Sequence, residues 1–138
     1  MVNAKLLNMD GLILVLAGAA GFMVLDGIWI YGLVQDFYSE KLAPLYGRGD
    51  WKLNPWAGVL AYFALSLGLT IFVVPAAREL WEAAAYGLVY GLAVYGVYDF
   101  TNAALFKKYS EDLVWADLIW GMLASAIVAV GLYCLAGF

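Results

Sequence analysis

The sequence has no histidine and a single cysteine, Cys134. A disulfide within the chain is therefore impossible, and the histidine- and cysteine-rich clusters that hold zinc or redox metals are excluded with it. No metal site is expected. Charge is nearly as scarce: 7 basic and 11 acidic side chains in 138 residues leave a net charge of −4. Such a balance offers no basic face to a phosphate backbone, which argues against nucleic acid as a partner. No Pro/Ser-rich linker or low-complexity tract divides the chain, so residues 1–138 read as a single domain. Short alternating strands of about ten residues, the mark of a membrane β-barrel, are missing too.

What is present is apolar. Hydrophobic residues make up 66% of the sequence and the mean hydropathy is +0.86, well beyond the roughly half-apolar composition of soluble domains. Four runs reach the about 20 apolar residues needed to cross a bilayer: roughly 11–34, 55–76, 82–106 and 113–137. The expected fold is all-α, four transmembrane helices in one compact bundle. The first run resembles a signal peptide in having a Lys before it, but it continues well past the about 7–15 residues of a signal core and reads as a retained span. Pro55 suits the first turn of the second span, and Pro75 with Arg78-Glu79 closes it. The long connection, residues 35–54, mixes charges with aromatics, Phe37, Tyr38, Tyr46 and Trp51. It reads equally as a short amphipathic helix at the headgroups or as a surface loop with interfacial anchors. Lys41, Arg48, Lys52, Lys107 and Lys108 follow the first and third spans, against Lys5 and Arg78 on the other side. By the positive-inside bias this places those two loops in the cytoplasm and both termini outside an inner membrane.

Most acids lie in loops or at span ends, and three do not: Asp26, Asp99 and Asp117. No Lys or Arg lies in any span to pair with them. A charge at mid-bilayer costs about 2.5–3.5 kcal/mol on insertion scales, so such residues turn inward and are kept for use. By depth, all three fall in the cytoplasmic half. Neighbours at i+3 and i+4 give each helix a small-and-polar stripe. These are Gly18, Phe22, Asp26 and Trp29 in the first span, and Asn54, Gly58, Tyr62, Ser66 and Thr70 in the second. The third carries Gly87, Gly91, Tyr95, Asp99 and Asn102, and the fourth Asp117, Trp120, Gly121 and Ser125. If the stripes converge, the three carboxyl groups meet in one hollow. They cannot all stay ionised there without a counter-charge, so either a proton or a cation joins them.

Asp-x-Ile-Trp occurs twice, at 26–29 and 117–120. In the structural reading each indole N–H satisfies a carboxylate or anchors at the interface. In the functional reading Trp29 and Trp120 wall a pocket for a flat or cationic ligand. Tyr62, Tyr90, Tyr95 and Tyr98 are commoner as packing residues than as catalysts. Gly87 and Gly91 read as a helix-packing pair, and Cys134 as a small core or lipid-facing residue.

Several of these stretches resemble a known family. LDGIW at 25–29, DFYSEKL at 36–42, FVVP at 72–75, YGVYDFTNAAL at 95–105 and ADLIWG at 116–121 are similar to a bacterial integral-membrane family, domain of unknown function 2177. The resemblance covers nearly the whole chain. It implies a small four-span inner-membrane protein and brings no settled activity, substrate or cofactor.

The leading functional expectation is a binding or transport protein with an acidic-aromatic cavity open to the cytoplasm. Its ligand is a cation, a proton-coupled solute or a lipid-like small molecule. Asp26, Asp99 and Asp117 supply charge or proton exchange, Asn102 and Tyr95 orientation, and Trp29 and Trp120 the walls. Four spans are few for a transporter, which leaves room for a homodimer among membrane lipids. The alternatives are a lipid- or isoprenoid-modifying enzyme using Asp as general acid and base, and an accessory subunit of a membrane complex.

Overall fold

A computed structural model describes residues 9–46 and 54–137. Lys5, Arg48, Trp51 and Lys52, and with them most of the second half of the long connection, lie outside those residues. Five helices follow in order: α1 (Met9–Gly27), α2 (Gln35–Tyr46), α3 (Pro55–Gly68), α4 (Leu80–Leu105) and α5 (Glu111–Ala136). Among the described residues there is no strand. α1 continues through a widened π turn, Ile28–Leu33, and α3 through a π turn, Leu69–Val73, and a tight turn, Val74–Ala76. The second widening is explained by Pro75, which lacks an N–H and whose ring clashes with the carbonyl one turn back. Counting these extensions, four segments are long and apolar enough to cross a membrane: Asp10–Leu33, Pro55–Ala76, Leu80–Leu105 and Glu111–Ala136.

The connection after α1 is helical in its first half. Val34 leaves the helical conformation, its N–H still bonded to Trp29 O, and Tyr38 N–H already bonds to Val34 O to start α2. One face of α2 then docks: Tyr38 is buried, and Lys41, one turn on, bridges to Asp112 at 2.7 Å near the start of α5. α2 thus crosses from the end of α1 to the beginning of α5.

Around the bundle the order is α3, α1, α5, α4. α3 packs on α1, α1 on α5, and α5 most extensively on α4. That last contact is close because of glycine. A Cβ on Gly87 would lie 2.7 Å from Ala126 Cα, and one on Gly91 2.7 Å from Met122 Cα. α4 returns to the α3 segment chiefly at Leu69–Val73. The apolar core fills the end of the bundle away from α2, with Leu14, Phe22, Leu69, Val74, Val128 and Leu132 at its centre. Large apolar side chains cover the outside of every long helix, among them Leu12, Val24, Leu60, Phe72, Val97 and Ile119. That is the surface a lipid environment accepts and water does not.

Candidate functional site: an acidic and aromatic cavity

Towards the α2 end the bundle opens into a cavity of about 540 Å³, within the usual range for small-molecule sites. Every helix contributes. α1 and its π turn supply Asp26 and Trp29, α2 supplies Tyr38, α3 Tyr62, α4 Tyr90, Tyr95 and Tyr98, and α5 Asp117 and Trp120. No Lys or Arg is among the described lining residues.

The floor is a connected network. The indoles of Trp29 and Trp120 stack at 4.5 Å with 2° between their planes. Trp120 Nε1 donates to Asp26 Oδ1 at 2.7 Å. Trp29 Nε1 donates to the Tyr38 hydroxyl at 3.3 Å, and that hydroxyl donates to Asp117 Oδ1 at 2.5 Å. The two Asp-x-Ile-Trp motifs therefore exchange partners across the α1–α5 contact. Each tryptophan serves the carboxylate of the other motif, one directly and one through a tyrosine. Hydrogen bonds to charged groups are the stronger kind, and these fix both acids in the cavity lining. Tyr62 interacts with Asp26 from the α3 side. Tyr95 lies over Gly121, where any Cβ would overlap its ring; the missing side chain makes room for the phenol.

The π turn in α1 starts between Asp26 and Trp29 and resets the helix there, as such widenings commonly do at functional sites. α2 is held to the cavity by Tyr38. Burial first, and the Asp117 carboxylate second, push the Tyr38 hydroxyl above the ordinary tyrosine value of 10.0. Tyr109, outside the spans, is raised in the same way by burial and by Asp99. A raised value in the folded state means that the unfolded chain loses these protons first, so stability falls as pH rises past 10. Thermal unfolding between pH 8 and pH 11 should show a flat region, then a decline. Tyr38→Phe should start lower, by the about 1.5–3 kcal/mol of a hydrogen bond to a charged group, and decline less steeply. An equally stable variant would mean that Tyr38 does not secure α2.

Residues 11–134 match a family described as "Predicted membrane protein (DUF2177)". The chain belongs to this family. The resemblance read from the sequence motifs is thereby met, and this member of the family is a multi-pass membrane protein by both its match and its four apolar helices. No curated protein and no solved structure matches the chain.

In this family member the sequence-derived residues divide into two groups. Asp26, Asp117, Trp29, Trp120 and Tyr95 share the cavity. Asp99 and Asn102 are not among its described lining residues, so two of the three carboxyl groups, Asp26 and Asp117, face the cavity. Residues four apart on a helix drift by about 40° because a turn holds 3.6 residues, so the stripe Gly87–Gly91–Tyr95–Asp99 turns by about 120° from end to end. Tyr98 takes the cavity face, and Asp99 is completely buried. Its Oδ1 accepts from the Tyr109 hydroxyl at 2.9 Å, and its Oδ2 has no hydrogen-bond partner among the described residues. Asp117 is met by Tyr38 rather than by Lys107 or Lys108. Tyr62, Tyr90 and Tyr98, read from the sequence as packing residues, also line the cavity, as does Tyr38, read there only as an aromatic of the long connection. The available signal was Tyr38–Lys41, two side chains one turn apart on the same face of an amphipathic segment.

Proposed function

We propose that the protein is a membrane-embedded binding protein or carrier that seats a small organic cation between Asp26 and Asp117, against the stacked indoles and the surrounding phenols. One observation carries this reading. Two carboxylates face a single cavity, no basic residue is among its described lining residues, and aromatic faces supply much of the rest of the wall. An opposite charge is the cheapest way to keep both acids ionised away from water, and aromatic faces attract cations in their own right. Positive-inside bias gives the setting: an inner membrane, with the α2 end in the cytoplasm beside Lys41, Lys107 and Lys108, and with the far end, marked by Arg78, outside.

The test uses tetraethylammonium and the protein in lipid nanodiscs. Trp29 and Trp120 form the floor, so tryptophan fluorescence reports occupancy. Asp117→Asn preserves shape and removes one charge. Breaking a buried pair costs about 3–5 kcal/mol, so affinity should fall by at least about 100-fold. Affinity equal to wild type in both Asp26→Asn and Asp117→Asn would end the proposal.

A further inference from the structure

We infer that the ligand of this cavity is a long-chain amine or quaternary ammonium amphiphile that enters sideways from the bilayer, its cationic head at Asp26 and Asp117 and its hydrocarbon tail lying between α3 and α4. This rests on the reading above and adds the ligand class and the route.

The route follows from the helix order. α3 and α4 are the two ends of the sequence α3, α1, α5, α4, and their chains approach chiefly at Leu69–Val73, in the far half. There Tyr90 donates its hydroxyl to Leu65 O at 3.1 Å, and Gly68 leaves the space that this phenol occupies. Nearer the α2 end no side-chain hydrogen bond among the described residues ties them. Among the described lining residues only Ala61 and Ala64 of α3 and Val94 and Tyr98 of α4 are solvent-exposed. A residue that is both lining and exposed marks a mouth. Ala61 is six residues beyond Pro55, or about 9 Å at 1.5 Å per residue, which puts the mouth at the level of lipid chains. The α2 end carries a different kind of wall. Tyr38 is only 7% exposed and is bound to both Trp29 and Asp117.

The ligand class follows from the gradient along that path. The mouth is small and apolar, with one phenol, and the inner end holds two carboxylates and two indoles. A molecule matching it has a hydrocarbon tail and a positive head. A phosphate beside the head would face two carboxylates, with no Lys or Arg among the described lining residues to receive it. That favours a simple amine or quaternary ammonium over a zwitterionic phospholipid headgroup.

The experiment uses hexadecylamine with a diazirine in mid-chain, in phosphatidylcholine nanodiscs, and the hexadecanol analogue with the same label. After irradiation, adducts are mapped by peptide mass spectrometry. The amine should label Ala61, Ala64, Val94 or Tyr98 at least about 10-fold more than the alcohol does. Asp117→Asn and Asp26→Asn should abolish that preference, and Asp117→Glu, which keeps the charge, should restore it. Circular dichroism melting of each variant shows that it is folded. Equal labelling by amine and alcohol, or adducts confined to the outer faces of α1 and α5, would overturn the inference. If tetraethylammonium still bound in an Asp-dependent way, the cavity reading would survive that result. If neither cation depended on Asp26 and Asp117, both would fall.

Discussion

Trp120→Ala should lower the unfolding free energy by about 3–5 kcal/mol, the range for truncating a large packed aromatic. Three losses coincide at this residue. The stack on Trp29 disappears, and such aromatic pairs contribute about 0.5–1.5 kcal/mol beyond the area they bury. The packing of the ring between α1 and α5 goes with it. Asp26, 9% exposed, loses the N–H that donates to its Oδ1, and a buried acceptor left unmatched costs the desolvation it has already undergone. Trp120→Phe separates these terms, because it keeps most of the ring and removes only the donor. It should cost about 1.5–3 kcal/mol, and adding Asp26→Asn should cost less than the two single changes summed, since neutralising the acid removes the need for the donor. Thermal and chemical unfolding in mild detergent read all three. A Trp120→Phe protein as stable as wild type would mean that the indole N–H does not support Asp26.

Gly91→Leu should prevent α4 and α5 from reaching their native separation. The first carbon of any side chain at this position overlaps Gly121 O and lies 2.7 Å from Met122 Cα. Both obstacles are backbone, so no rotamer relieves them. Overpacking of this kind costs about 1–3 kcal/mol and sometimes more, and a leucine falls at the upper end. The effect extends to the site, because Tyr95 rests on the same Gly121 and moves with it. Gly131→Ala is the control. Nothing lies within 4 Å of a Cβ there, and within a helix alanine is favoured over glycine by about 0.5–1 kcal/mol. Gly91→Leu should lose its sharp thermal transition and its tetraethylammonium binding, and Gly131→Ala should keep both. A cooperative transition in Gly91→Leu at the wild-type temperature would refute the close crossing.

These two positions also show what the sequence makes legible. Apolar run length determines four helices, and helical periodicity picks out the buried faces, so that Phe22, Ser66, Thr70, Gly87 and Ser125 all turn inward. Periodicity acts within one helix, however, and says nothing of which helices are neighbours. That is why the motif shows an indole suited to a carboxylate without showing which one, and only the contact between α1 and α5 gives Trp120 to Asp26. The same limit applies to angle. Gly87 and Gly91 of the stripe pack on α5, Tyr95 borders the cavity, and the drift between a four-residue step and a true turn leaves Asp99 off the cavity lining. Tyr38 was hidden for another reason. Its segment carries charges and aromatics in a mixture that suits a surface loop and an interfacial helix alike, and only its docking onto Asp117 distinguishes them.

The partner exchange between α1 and α5 has one consequence for the pocket as a whole. A four-residue phrase written on two antiparallel helices would give two equivalent acids, but Tyr38 breaks that equivalence. Asp26 is tied to a helix of the scaffold, and Asp117 to a short side element. Displacing α2 would therefore remove the hydrogen bond to Asp117 while Trp120 still held Asp26, so the pocket has a fixed electrostatic anchor and an adjustable one.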